Sequence, residues 1–402
     1  TDKGKVGRAE SHGLPYVSDQ ALGSNGWAVG RAKSADGAVR LMVNSHMPFE
    51  GPVTFYQAHV HSGDGWNMDG ATFPGGCMLF MGHDENKGWV HTISRPDLAD
   101  IYKLDMNPDN PNQYRFDGAW RDLERKTAKL RVKLWGPIHV IARRELLWSV
   151  HGPAWRRADG SVYAIRFAGY GEIRSLEEWF RMNKARNVDE FIEALRMQAI
   201  PSFNTLYADR HGDLFYLYNM MAPQRNGDFD WSGVLPGDTS AAIPQGIAPF
   251  DALPQIKNPV SAFLQTSNGT PSDASLGADN RNPTDFPAWM GIETHDTNRS
   301  LRVLATYGAD DSVTRDEFHT YKYDKHYAPE SAAMRQAREL AEAEVPADAP
   351  LARQAAGIVR AWDGNMAQDN RAAALVMLAI KTGDTFGKTP AERLHGAAQH
   401  LL

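Results

Sequence analysis

Over the first quarter of the chain, apolar and polar residues alternate in short runs. Trp27-Ala28-Val29-Gly30 and Val39-Arg40-Leu41-Met42-Val43 read as two strands flanking the turn dipeptide Asp36-Gly37, which predicts a hairpin starting at Ser24. Further short strands are predicted over 53–60, 66–73, 77–81 and 88–93, each bounded by Gly, Pro, Asp or Asn. Runs such as Leu130-Arg131-Val132-Lys133-Leu134 predict more antiparallel strands within 127–157. The period then changes. Ser175 and Glu178 have the spacing of a capping box ahead of Trp179 and Phe180, and predict a helix. Val188, Phe191, Ile192 and Leu195 share one face and predict a second helix over 187–195. Strands return at 205–208 and 214–218, around Asp209-Arg210-His211-Gly212. Residues 222–300 are rich in Pro, Gly, Asn and Asp and predict long ordered loops. From 312 onward the pattern is helical: 313–320, 329–344, 350–362, 370–381 and 390–402. No internal repeat or low-complexity tract breaks this order.

Composition narrows the function classes. The chain has 402 residues, room for two or three domains or one large one. An apolar share of 42% and a charged share of 23% exclude a disordered, collagen-like or coiled-coil chain. Lys and Arg total 43 against 49 Asp and Glu, so the net charge is −6 and no basic excess favours nucleic acid. No apolar run approaches the roughly 18–20 residues that span a bilayer, and no membrane partner is expected. The polar start, Thr1-Asp2-Lys3-Gly4-Lys5, holds no apolar signal core, which leaves a cytosolic protein or one whose address lies elsewhere. The single cysteine, Cys77, excludes an internal disulfide, and its setting in Cys77-Met78-Leu79-Phe80 predicts a buried filler.

Candidate chemistry is sparse. His59-Val60-His61 puts two imidazoles on one strand face, but no third ligand stands at a familiar spacing. Phosphate-cradling and dinucleotide fingerprints are missing, and Gly23-Ser24-Asn25-Gly26 has the wrong spacing for a Gly-x-Ser-x-Gly elbow. That segment suits another chemistry. If the Gly23–Ser24 bond is cut, Ser24 carries a hydroxyl and a free α-amine of pKa about 7.7–8.0, so the amine can serve as base for its own hydroxyl. Gly23 tolerates unusual backbone angles, and the Ser24 oxygen could attack the Gly23 carbonyl in an N-to-O acyl shift. From these residues alone a plain turn is the commoner reading of Gly-Ser-Asn-Gly.

Four blocks, in order, change the balance: Gly23-Ser24-Asn25-Gly26-Trp27-Ala28-Val29; Leu41-Met42-Val43-Asn44-Ser45-His46-Met47-Pro48; Gly82-His83-Asp84 through Gly88-Trp89-Val90-His91-Thr92-Ile93; and Phe203-Asn204-Thr205-Leu206-Tyr207-Ala208-Asp209. Together they resemble the β chain of the penicillin acylase family of N-terminal-nucleophile hydrolases, in which an Asn-x-His-x-Pro element follows the nucleophile by about 22 residues, as it does here. The motifs are most similar to acyl-homoserine-lactone and aculeacin-type acylases, which share His at the position of His46.

The resemblance implies an α+β fold with a four-layer αββα core of mainly antiparallel sheets. It divides the chain into a spacer remnant over 1–23, a hydrolase core over 24–310 and a helical continuation over 311–402 that reads as cut short. It implies hydrolysis of an N-acyl amide through an acyl-enzyme, with Gly23–Ser24 the autocatalytic cleavage site and Ser24 the nucleophile. His46 would help hold the amine, Ile93 N–H and the Asn204 amide would form the oxyanion hole, and Arg225 would support the asparagine and the substrate. Met47, Phe80 and Met81 would line the acyl pocket. No cofactor is required, although a structural Ca²⁺ at Asp97 and Asp100 is implied by some members. An α chain from the same precursor would be the partner, and a bacterial periplasmic or secreted location follows. An alternative remains a catalytically inert module that binds peptide or glycan through loops bearing Trp66, Trp231 and Trp289; another is a hydrolase using an internal Ser, His and Asp.

Overall fold

The computed structural model describes residues 23–51, 53–381, 386 and 388–402; the expected spacer therefore lies outside the described residues, Gly23 excepted. Strands are numbered in chain order. Strand β1 (Gly23–Val29) is the centre of a three-stranded sheet, flanked by β2 (Arg40–His46) and β18 (Phe263–Thr266). The register sets Ser24 opposite Ser45, and Gly23 opposite His46.

A seven-stranded sheet packs face to face on it. Its order is β17 (Gln255–Lys257), β15 (Leu214–Met220), β14 (Ser202–Asp209), β6 (Lys87–Thr92), β5 (Met81–His83), β4 (Trp66–Thr72) and β3 (Tyr56–Ser62). The two sheets approach closely at Gly26, where a Cβ would meet Val90 Cγ2 at 2.6 Å, so only glycine fits this point of β1. Behind the large sheet lie helices Ser175–Lys184 and Val188–Leu195, with Phe191 packed on Trp89 and Tyr207. Behind the small sheet lie helix Asn298–Val303, continued by one wide turn over Leu304–Gly308, and helix Arg315–Lys322; the Tyr307 ring stands 5.2 Å from Trp27 and 5.3 Å from Phe318. Helix, sheet, sheet, helix is the four-layer α+β arrangement expected. Strands β6 and β15 lie between layers and are buried on both faces, which is why Leu214-Phe215-Tyr216-Leu217-Tyr218 reads as an unbroken apolar run.

A second sheet system stands beside this core. It runs β10 (Glu124–Trp135), β11 (Ile138–Ser149), β12 (Gly152–Arg156), β13 (Val162–Phe167), β7 (Ala99–Lys103) and β16 (Val234–Pro236), with the small ribbon β8 (Gln113–Phe116) and β9 (Ala119–Asp122). Tyr102, Tyr114, Phe116 and Val162 form its own core. Strands β10 and β11 continue past that core as an exposed ribbon. Leu130, Val132 and Val140 occupy one face by register, and Lys129, Arg131, Lys133 and Arg143 the other. Helices Ala332–Glu342, Pro350–Ala361, Arg371–Lys381 and Pro390–Leu401 bury Leu340, Val359, Val376 and Leu394 in a separate helical core.

Some expected details differ. The strand expected at 77–81 forms at Met81–His83, because Pro74-Gly75-Gly76 turns the chain first, with Gly75 at φ +84°; Cys77 follows that turn and is exposed rather than buried. Ser175 does not cap its helix. It lies in the first turn, and Glu178 points inward to accept the backbone N–H groups of Ala199 and Ile200. The loops of 222–300 include β16, β17 and β18, and the segment ends in helix Asn298–Val303.

Candidate active site

Ser24 stands at the start of β1, where the gap between the two sheets opens. It is 5% exposed, and each of its polar atoms has a partner. Its backbone nitrogen donates to Asn268 Oδ1 at 2.7 Å. Its carbonyl accepts from Arg299 Nη1 at 2.6 Å, and its Oγ lies 3.4 Å from the donating backbone nitrogen of Ile93. Asn268 and Arg299 are joined to each other, Nη2 to Oδ1, at 2.8 Å, while Asn268 Nδ2 donates to Ile93 O at 2.7 Å. Arg299 also reaches the Asn25 side chain. Three separate chain segments thus converge on one serine.

The local fold explains the convergence. Ile93 is the first residue beyond β6, and β6 lies under β1. Asn268 is the second residue beyond β18, which pairs with β1, so strand register carries its amide to the Ser24 nitrogen. It holds φ +62°, a left-handed conformation that asparagine tolerates better than most residues. Thr92 Oγ1 and Thr266 Oγ1 are 2.8 Å apart and tie the two strand ends together. Arg299 lies in the first turn of its helix, whose N-cap Thr297 accepts from Ser300 N and donates to Ser267 O at 2.9 Å. Gly23 has no room for a side chain, since a Cβ would meet Asn268 Oδ1 at 2.7 Å.

A cavity of about 140 Å³ opens beside Ser24. Met47, Phe80 and Met81 stand in its wall with Phe55, Phe73 and Phe203, and His91 is at its base. Phe55 and Phe73 are stacked, with centroids 4.9 Å apart. His91 brings no free polar atom. Trp179 Nε1 donates to its Nε2 at 3.1 Å, which leaves the proton on Nδ1, 3.0 Å from Thr205 Oγ1. Burial pushes the His91 pKa down to about 4, so the ring is neutral. His46 lies opposite Gly23; burial and then the nearby charge of Arg299 lower its pKa. Arg299 itself falls to about 10, through burial and then Arg95, and stays a cation at neutral pH.

The other expected site residues sit differently. Asn204 is fully buried on β14: its Oδ1 accepts from Tyr216 OH at 2.8 Å, and its Nδ2 reaches Ile93 O at 3.4 Å. The amide that touches Ser24 is Asn268. Arg225 is directed to Asp97 Oδ2 at 3.1 Å and Asp100 Oδ1 at 2.9 Å rather than to an asparagine. That arrangement bears on the implied Ca²⁺. A guanidinium already stands against both carboxylates, and among the described residues no cluster of three or more His, Cys, Asp or Glu could hold a metal ion. The donor set does not fit a calcium site. His59 and His61 both lean on Asn67 Oδ1, at 2.8 and 3.3 Å.

Asn268 and Arg299 were not singled out in the sequence. Their signals are faint: a polar Thr266-Ser267-Asn268-Gly269 after Phe263-Leu264-Gln265, and a Thr297 cap ahead of Leu301, Val303 and Leu304.

Comparison with known proteins gives a consistent pattern. The family model described as Penicillin amidase matches residues 3–383. The acyl-homoserine lactone acylase PvdQ of Pseudomonas fluorescens is 30% identical over 213 residues, covering 51% of this chain and 27% of that protein. Its namesake from Pseudomonas putida is 30% identical over 274 residues, covering 61% and 35%. The aculeacin-A acylase of Actinoplanes utahensis is 27% identical over 267 residues, covering 64% and 31%. The chain thus spans about a third of the length of these relatives. A solved structure of a thermostable penicillin G acylase from Alcaligenes faecalis shares the fold, with TM-score 0.69 and 22% identity over 94% of this chain and 77% of that one.

Proposed function

The chain belongs to the penicillin amidase family, and on that premise we propose that it hydrolyses an N-acyl amide, with Ser24 as nucleophile once the Gly23–Ser24 bond has been cut. The observation that carries the reading is the cradle at Ser24: nitrogen on Asn268, carbonyl on Arg299, hydroxyl beside the Ile93 N–H, all at the mouth of an apolar cavity.

Cutting the bond turns the Ser24 nitrogen, which Asn268 already holds, into an amine. Asn268 Oδ1 then accepts one of its protons, and the neighbouring positive charge of Arg299 favours the neutral amine, which is the form that acts as base. In the first step the amine takes the Ser24 hydroxyl proton, directly or through one water, as Oγ attacks the acyl carbon. The oxyanion forms near Ile93 N–H and the Nδ2 of Asn268, with Asn204 holding the Ile93 carbonyl from beneath. One such donor is worth about 10²–10³ in rate. The ammonium returns its proton to the leaving amine, and water releases the acid by the same route. The acyl group occupies the cavity, whose volume is near the roughly 150 Å³ that encloses a benzene ring. A phenylacetyl group or a medium straight chain therefore fits; a long fatty acyl chain requires Phe55, Phe73 or Phe80 to move. Family membership supports two further parts of the proposal: a second polypeptide from the same precursor completes the substrate pocket, and the protein works outside the cytoplasm.

The test combines intact mass with a hydrolysis assay on phenylacetyl, hexanoyl and dodecanoyl amides. A fragment starting at Ser24 is expected, absent in Ser24→Ala and slowed at least a hundredfold in Asn268→Ala. A chain that stays whole when co-produced with its upstream segment, or activity that survives Ser24→Ala, overturns the reading.

A further inference from the structure

The segment from Ile93 to Asp100 carries the proposed oxyanion N–H at one end and has no ladder partner until β7. Three ties hold it. Arg95 N–H donates to Glu293 Oε2 at 2.9 Å, Asp97 N–H donates to Gly291 O at 3.0 Å, and the carboxylates of Asp97 and Asp100 meet Arg225. The third tie is unusual in its burial. The Arg225 side chain is 1% exposed and that of Asp100 is 2% exposed. Arg225 arrives from the loop after β15, and its Nη1 also donates to Trp289 O at 3.3 Å, while the Trp231 ring lies 5.7 Å from the guanidinium carbon. The contact to Asp100 Oδ1 has the length of an ion pair without the alignment of a hydrogen bond, so charge rather than direction holds it.

The guanidinium therefore meets two carboxylates of the Ile93–Asp100 segment and the carbonyl of Trp289. Hard oxygens of this kind are what a calcium ion collects. An arginine in their midst supplies a positive charge that cannot dissociate and does not lose its proton at any ordinary pH. We propose that Arg225 is a built-in cation that takes the place of calcium here, and that it acts as a positioning residue fixing the Ile93–Asp100 segment. The chain's stability is then independent of divalent ions, and removing the guanidinium uncovers an oxygen cage that accepts one.

The experiment is thermal unfolding of the full chain in millimolar EGTA and in millimolar CaCl₂, with terbium luminescence excited through tryptophan as the direct binding probe. The wild-type midpoint is expected to be the same in both solutions, and its terbium emission is expected to stay at background. Arg225→Ala is expected to unfold at lower temperature in EGTA, to recover several degrees in calcium, and to sensitise terbium through Trp231 and Trp289. Adding Asp100→Asn to that variant should remove the calcium response. A wild-type midpoint that drops in EGTA and returns with calcium overturns the proposal. So does a folded Arg225→Ala protein that ignores both ions. Where the variant does not fold, Arg225→Lys and the wild-type comparison decide alone: a lysine variant that remains insensitive to calcium while less stable than wild type supports the resident cation, and a calcium-responsive wild type refutes it. None of these readings depends on hydrolysis.

Discussion

Glu178 shows how one side chain can do two unrelated things to a protein. Its Oε2 accepts from Ala199 N at 2.5 Å and Ile200 N at 3.1 Å, which pins the turn that feeds β14. Burial drives its pKa up to about 8, against the two N–H groups that pull it down. The acid is thus protonated in the fold well above its ordinary value of 4.5. Between pH 4.5 and 8 the unfolded chain has released this proton and the folded chain has kept it, so stability falls as pH rises, by up to about 1.4 kcal/mol per unit. His91 works the other way. It titrates near 4 folded and 6.5 unfolded, so stability rises with pH between those values. The two slopes oppose each other between pH 4.5 and 6.5; Asp273, raised to about 7 by burial and then by Asp296, adds to the decline up to that pH, and Glu178 carries it on to 8. Urea unfolding across this range should show a decline above pH 6.5, and Glu178→Gln should abolish the part of it that lies above pH 7. The sequence invited a different reading of Glu178, as the far half of a capping box, because spacing along a helix says nothing about which way that helix faces. Ser24 and His46 were legible from local motifs; Asn268 and Arg299 were not, because they reach Ser24 across 244 and 275 positions of chain and only strand pairing brings them there.

The elements most readable in the sequence were those with one dominant face. Helix Val188–Leu195 and the four C-terminal helices show their apolar stripe directly, and the β1–β2 hairpin shows its turn. Short elements within Pro- and Gly-rich stretches escaped. β18 has four residues, and helix Asn298–Val303 has six, too few for a period to emerge. Yet these two elements deliver the residues that grip Ser24. The small helix is held by its cap rather than by its length. Thr297 accepts from Ser300 N and also donates to Ser267 O, next to Asn268. Thr297→Ala is expected to cost about 1 kcal/mol of stability. It should also slow cleavage at Ser24, since Arg299 and Asn268 lose a shared anchor. Thr297→Ser should restore both. Denaturation midpoints and the rate of appearance of the Ser24 fragment measure the two effects separately.

At the scale of the whole molecule, the αββα core, the second sheet system and the helical bundle each bury their own apolar set, and the division follows the change of periodicity along the chain only in part. The boundary that matters lies after Tyr321, which still packs beneath β1 with Phe318, whereas Tyr327 and Met334 join the helical core. No hydrophobic pattern marks that step, because both sides are helical.

The ribbon of β10 and β11 has a consequence for how copies of this chain meet in solution. Residues 124–149 carry seven Lys and Arg against two Glu, a surplus of +5 in a chain whose total is −6, so the remaining residues hold −11. At about 3.4 Å per residue the ribbon extends roughly 40 Å and places that surplus at its own end. The ribbon thus joins a positive surplus to exposed apolar residues such as Leu134, Trp135 and Ile138. In dilute buffer this ribbon is expected to dock on the acidic remainder of another copy, in a contact that salt should weaken. Sedimentation velocity should show faster, concentration-dependent boundaries at low ionic strength that collapse to a single slow one at high salt. Reversing Lys129, Arg131 and Lys133 to glutamate should leave only the slow boundary at any salt.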